Sequence, residues 1–281
     1  MEIINAHVHM VQLKKVLNQK AKTTLCQSST YKYLDTMLPL TEPKNLLSQM
    51  KEAGILKSVL YAVDAPIVYA SNEYVFQLCQ KYPDKLIGFA SANPHKKNAV
   101  DILEKAIKKF GFKGCKLHPP LQNFYPNDKK AFSIYEKLVK LNLPVVFHIG
   151  STPFADMARL DQANPILIDE VACSFPKLKI MLTHLGTLWQ NEAFMVVEKH
   201  PNVYIDTAAY TYEIPQLLTP ETVERIGENK IIFGTDYPTP FGKKAHKMKD
   251  FVDCIKKLDL SIKIKQKIFS KNFNELLEKK P

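Results

Sequence analysis

His7 and His9 stand two residues apart at the end of the run Ile3-Ile4-Asn5-Ala6-His7-Val8-His9. In a strand, alternate side chains share a face, so both imidazoles point the same way with Cα atoms roughly 6.5–7 Å apart. Two imidazoles converging from one side suit a divalent metal ion. The same pattern, an apolar run closed by a metal-competent side chain, recurs at Lys116 and His118, at His148, at His184 and at Asp236. A single strand-end histidine is more commonly a hydrogen-bonded core or loop residue, and His95, His200 and His246 are read that way. Asp236 alone could cap the turn before Pro238. His118 shares a face with Lys116, although Pro119-Pro120 could swing it outward. Taken together, imidazole nitrogens and a carboxylate form a borderline-soft site suited to zinc, manganese, iron or cobalt.

Residues this far apart in sequence meet only if the strand ends converge. Short apolar runs end at His9, Val63, Ala90, His118, His148, His184, Asp206 and Asp236, and each is followed by a helix or a helix-length segment. Helices are expected from Pro43 to Ala53 with Thr41 as N-cap, over 72–82, 97–110, 128–141, 166–175, 189–200, 220–226, 244–257 and 261–278. Eight strand–helix units argue for parallel strands closed into a distorted (β/α)8 TIM barrel, whose C-terminal strand ends form one mouth. A doubly wound open sheet is the alternative, but no Gly-x-Gly-x-x-Gly follows the first strand. No linker or repeat divides the chain, so residues 1–281 are expected to form a single domain. The long polar segment Met10–Leu40, with Tyr31 and Tyr33, is a candidate lid.

Composition narrows the function classes. Hydrophobic residues make up 46% of the chain and charged residues 24%, ordinary for a soluble globular protein. The five cysteines are scattered with no Cys-x-x-Cys, which fits a reducing, cytoplasmic compartment. Neither a signal peptide nor a run long enough to span a membrane is present, and no membrane role is expected. The net charge of +11 invites a nucleic-acid reading, but Arg159 and Arg225 are the only arginines among 39 basic residues. Phosphate and base readers favour the bidentate arginine fork. A solvated lysine surface that steers a small anionic substrate is the better reading, with no nucleic-acid partner. A homo-oligomer is compatible with the sequence.

His7-x-His9, the Gly-Phe-Lys-Gly-Cys-Lys-Leu-His-Pro run at 111–119, His148-Ile-Gly, Thr183-His184-Leu-Gly and Phe233-Gly-Thr-Asp236-Tyr-Pro resemble the amidohydrolase superfamily. The chain is similar in particular to its amidohydrolase-related, decarboxylase-like branch. The resemblance implies a distorted barrel holding one divalent metal, zinc first, with manganese, iron or cobalt as alternatives. It implies His7, His9, His148 and Asp236 as ligands. His184 would be the catalytic acid/base or electrophile over the open position, and Asp236 would take a proton from a metal-activated water. In binuclear relatives a carboxylated lysine at the position of Lys116 bridges two metals, and His148 and His184 would then hold the second. In the decarboxylase-like branch the lysine more often stays a plain amine, able to pair with a substrate carboxylate. One metal is expected and a second stays open, with Lys116, His118 and Arg159 as candidate second-metal or substrate residues. Arg159 could clamp a substrate carboxylate, although a surface arginine is the commoner case; Trp189, after the sixth strand, could wall an aromatic substrate or be a buried structural residue, and Tyr210 follows the seventh. The expected activity is hydrolysis of an amide, lactone or ester of a small anionic substrate. Non-oxidative decarboxylation of an aromatic or unsaturated acid at the same metal site is the alternative, and a non-catalytic barrel is third.

Overall fold

The computed structural model describes residues 1–12, 38–66, 68–152, 157–238, 240–241 and 244–278. Eight strands run in sequence order, β1 (Ile4–Val8), β2 (Lys57–Tyr61), β3 (Leu86–Ser91), β4 (Cys115–Leu117), β5 (Val145–Phe147), β6 (Ile180–Leu182), β7 (Val203–Asp206) and β8 (Ile231–Ile232). Each pairs in parallel with the next. The segment after β8 returns to β1, where Ala6 N donates to Phe233 O at 2.8 Å and His9 N to Tyr237 O at 2.7 Å. The sheet is thereby a nearly closed barrel, as the strand count implied, and the doubly wound alternative falls away.

The surrounding helices are α1 (Pro43–Ala53), α2 (Asn72–Lys81), α3 (Ala99–Phe110), α4 (Pro119–Gln122), α5 (Lys129–Leu141), α6 (Ile166–Ser174), α7 (Gln190–Lys199), α8 (Ile214–Leu217), α9 (Pro220–Ile226), α10 (Met248–Lys257), α11 (Ile262–Gln266) and α12 (Asn272–Glu278). Their apolar faces and the outward-facing strand residues form the larger core, including Leu103, Ile134, Leu138, Val171 and Phe251. The barrel interior is separate, filled by residues such as Ile4, Val59, Phe89, Val146, Met181 and Ile232. α12 closes its floor: Phe273 and Leu276 enter this inner cluster, and Asn272 Nδ2 donates to Ile231 O at the start of β8.

Several boundaries differ from expectation for local reasons. Glu42, not Thr41, precedes α1, with Pro43 in its first turn, and the helix stops at Gly54 in the left-handed region at φ 69°. Pro119-Pro120 ends β4 but also opens α4, since proline needs no donor in a first turn. Residues 244–245 pair with 240–241 as a small antiparallel ladder, so the next helix starts at Met248. The long terminal helix is broken by a π-helical turn at Lys267–Lys271. The proposed lid, with Tyr31 and Tyr33, lies for most of its length outside the described residues.

One buried side chain bridges the β8–β1 seam beside its backbone bonds. Asn5 Oδ1 accepts from Thr235 N at 3.1 Å and from His7 N at 3.2 Å, while Asn5 Nδ2 donates to Thr235 Oγ1 at 2.8 Å. Pairing of β1 with β2 is irregular between Asn5 and Val8, so His7 lies in a stretch whose backbone donor needs this side chain. Each buried group left without a partner costs about 1–3 kcal/mol. Asn5→Ala is therefore expected to lower stability by about 2–4 kcal/mol, read as a lower urea midpoint. An unchanged midpoint would show that the seam does not depend on Asn5.

Candidate active site

The C-terminal strand ends converge as the barrel requires. His7 on β1 is wholly buried and His9 follows the strand directly. Their Nε2 atoms face each other at 3.0 Å. Asp236, four residues beyond β8, places Oδ1 3.1 Å from His7 Nε2 and 3.3 Å from His9 Nε2. Its backbone sits in the left-handed region at φ 53°, a conformation that a non-glycine residue holds only when its surroundings dictate it.

This triangle has the dimensions of a metal site. Donors about 2.0–2.2 Å from one ion, at angles between a right angle and the tetrahedral value, stand roughly 3.0–3.5 Å apart. Two imidazoles and a carboxylate on one side of an ion leave other positions open. His7 is held for this task by a carboxylate: its Nδ1 lies 2.7 Å from Asp206 Oδ2. That bond puts the ring proton on Nδ1 and turns the Nε2 lone pair toward His9 and Asp236. Asp206 Oδ1 in turn accepts from His184 N at 2.8 Å and Ala208 N at 3.0 Å. His9 Nδ1 is buried with no hydrogen-bond partner among the described residues.

Protonation states follow from burial and charge. Burial pushes the His9 pKa down to about 4, despite Asp236. Burial opposes the charged form of His7 as well, but the Asp206 carboxylate outweighs it and the pKa is raised. Burial favours protonated Asp236, yet the His7 and His9 rings hold its carboxyl well below the usual range. The triangle therefore offers a neutral His9 and an ionised carboxylate.

A second imidazole group adjoins the first. His184 Nδ1 lies 2.7 Å from Ala208 O, which only a protonated nitrogen can satisfy. His184 Nε2 then carries a lone pair, facing His148 Nδ1 at 3.0 Å. His148 Nε2 lies 3.0 Å from Thr152 Oγ1. His118 is not swung outward: it is buried and its ring stacks on His148 at 3.9 Å and 9°. The His7 and His184 rings are 5.0 Å apart, so the two groups touch. His184 and Leu185 both adopt left-handed backbone, at φ 62° and 48°. Gly150 must remain glycine, because at its φ of 87° a Cβ would fall 2.5 Å from Thr187 O.

The remaining candidates divide. Lys116 on β4 is fully buried, its Nζ 5.0 Å above the Tyr61 ring and without a hydrogen-bond partner among the described residues. Burial lowers its pKa to about 8. Tyr61 also packs 4.9 Å from the His7 ring, which brings Lys116 to the edge of the triangle. Arg159 is not brought to the site. Its side chain is 63% exposed and bound to Asp161 at 2.6 Å and the Tyr125 hydroxyl at 2.9 Å. Trp189 is half-buried, and Tyr210 stacks on exposed Tyr212 at 5.4 Å. Asp206 was missed by the sequence reading, although it closes β7 as Asp236 follows β8. An acidic residue ending a fully buried strand was the available signal.

Comparisons with known proteins agree with this architecture. A curated relative, 2-keto-4-carboxy-3-hexenedioate hydratase of Sphingobium sp., is 23% identical, covering 75% of this chain and 71% of its own length. Among solved structures, an uncharacterised TIM-barrel protein from Bordetella bronchiseptica superposes with a TM-score of 0.78 at 18% identity, covering 99% of this chain and 98% of that one. A dihydroxybenzoic acid decarboxylase from Polaromonas sp. JS666, with bound manganese and the inhibitor 2-nitroresorcinol, gives 0.74 at 18% identity, covering 99% and 97%. A 4-oxalomesaconate hydratase from Rhodopseudomonas palustris gives 0.66 at 20% identity, covering 98% and 95%. Among the described residues no helix is long and apolar enough to cross a membrane. The family model described as amidohydrolase matches residues 6–278, which contain all the clustered side chains just described, and the chain belongs to that family.

Proposed function

We propose that this protein is a metal-dependent hydrolase acting on an amide, lactone or ester of a small anionic substrate. The observation that carries this reading is the triangle of His7 Nε2, His9 Nε2 and Asp236 Oδ1, with sides of 3.0, 3.1 and 3.3 Å. These three residues would hold one divalent cation, zinc first, and His148 is the candidate fourth ligand from the adjoining pair. When bound, the cation supplies Lewis acidity toward a substrate oxygen. Asp236 is ionised and, at 27% side-chain exposure, faces the mouth more openly than wholly buried His7. It is therefore the proton acceptor. His184 Nε2, with its lone pair fixed by Ala208, receives and returns a proton.

A second reading is lyase chemistry on a carboxylic acid, by decarboxylation or hydration. The buried Lys116 ammonium favours it by adding positive charge beside the triangle, and the named relatives act on such acids. Metal-reloaded protein incubated with lactones, amides and esters, and in parallel with hydroxybenzoates and unsaturated keto acids, separates these. Hydrolysis alone supports the first reading. Labelled CO2 release, or water addition without cleavage, replaces it with the second.

Lys116 is read as a plain amine. Lys116→Ala is expected to keep one equivalent of metal and to raise KM for anionic substrates about tenfold, the equivalent of about 1.4 kcal/mol. Two equivalents in the parent that fall to one in the variant would instead make Lys116 a bridging ligand.

A further inference from the structure

The outer layer carries another group of ligand-type side chains. α6 presents Asp169 and Cys173 one turn apart, on one face of the helix. His200 ends α7 with its ring buried. Asp169 Oδ1 accepts from His200 Nε2 at 2.7 Å and from Lys199 Nζ at 2.6 Å. A carboxylate oxygen of Asp169, the Cys173 sulfur and a ring nitrogen of His200 all lie within 4.8 Å of one another. α6 ends at Ser174 ahead of β6, and His200 lies three residues before β7 starts at Val203. Strands begin at the barrel floor, so this cluster lies toward the end opposite the mouth. The Asp169–His200 bond explains how α6 is pinned to α7. It leaves the exposed, free Cys173 thiol beside them without a task.

We propose that Asp169, Cys173 and His200 form a binding site for a thiophilic divalent cation of the zinc class on the outer face of the barrel. Thiolate, imidazole and carboxylate are three of the four ligands that zinc takes, and water completes the set. Binding replaces the proton on the Cys173 sulfur with the cation and releases that proton to solvent, with no change of oxidation state. His200 frees its Nε2 lone pair by carrying its ring proton on Nδ1. Ligand atoms around one such ion stand roughly 3.3–3.7 Å apart, so the Asp169–His200 contact of 2.7 Å lengthens as the cation enters between them, and the Cys173 sulfur closes in from within 4.8 Å. The exposed Cys173 side chain can turn inward to do so. Lys199, whose side chain is 51% exposed, swings away from the Asp169 oxygen it now occupies. The ammonium is thus a built-in competitor for the cation.

The test is a Co2+ titration of protein already loaded at the mouth, read by thiolate-to-cobalt charge-transfer absorption. His7, His9 and Asp236 contain no sulfur, so the mouth is silent in this band, and Cys173→Ser tells the outer site from the other four cysteines. The expected result is one equivalent of the band in the parent and none in Cys173→Ser. Affinity should weaken about tenfold or more in Asp169→Asn and tighten severalfold in Lys199→Ala. Turnover should be unchanged in Cys173→Ser. No band in the parent, a band that survives Cys173→Ser, or an affinity indifferent to Lys199→Ala would overturn the site without touching the reading of the mouth.

Discussion

His184→Asn should lower turnover by about 10²–10⁴-fold, the usual contribution of a positioned acid or base, while the metal content stays the same. The argument rests on tautomers. Ala208 O fixes the proton on His184 Nδ1, so Nε2 carries the lone pair, beside His148 Nδ1. Asparagine can still donate to Ala208 O but has no basic nitrogen to put in place of Nε2. His184 is not one of the three triangle residues, so their geometry should survive. Metal analysis alongside single-turnover kinetics checks both halves. Loss of metal in the variant would make His184 a ligand, as in the two-metal arrangement, and would end its role as a proton carrier.

Asp206→Asn should weaken metal binding about 10–100-fold, the usual effect of removing a carboxylate behind a ligating histidine. The carboxylate holds the His7 proton on Nδ1, and a carboxamide can present its own N–H to that nitrogen instead. The same pair sets a pH dependence in chelator-treated protein. Burial opposes ionisation of Asp206, but His7 and the backbone of His184 hold its pKa below the ordinary value. Its contribution is therefore present above the usual carboxylate range and is lost as pH falls through the lowered native value. For His7 the pKa is raised, so its contribution is present below the usual imidazole range and is lost as pH rises through the raised value. Metal-free protein should accordingly lose stability on the alkaline side of the imidazole range, and Asp206→Asn should flatten that limb. Urea midpoints measured against pH decide it; equal slopes in parent and variant would show that the pair is not coupled to folding.

Much of this site was legible because a barrel converts position along a strand into position in space. A ligand-type residue at a strand end has one destination, and His7, His9, His118, His148, His184 and Asp236 reached it. Asp206 escaped notice because the alternation pattern treats the last residue of a buried strand as part of the strand. Its role appears only when the His7 ring on a strand far away in sequence is set beside it. Arg159 carried two readings, a mouth-facing clamp and the commoner surface arginine, and Asp161 two residues on holds it at the surface. The π-helical turn at Lys267–Lys271 and the irregular pairing near Asn5 depend on contacts between chain ends, which local periodicity does not carry.

The most direct measurement is anomalous diffraction from crystals soaked in a single divalent metal. The expected map has one strong peak within coordination reach of His7 Nε2, His9 Nε2 and Asp236 Oδ1 together. Full loading with the sole peak at His148 and His184, or no peak at the mouth at all, would contradict the account.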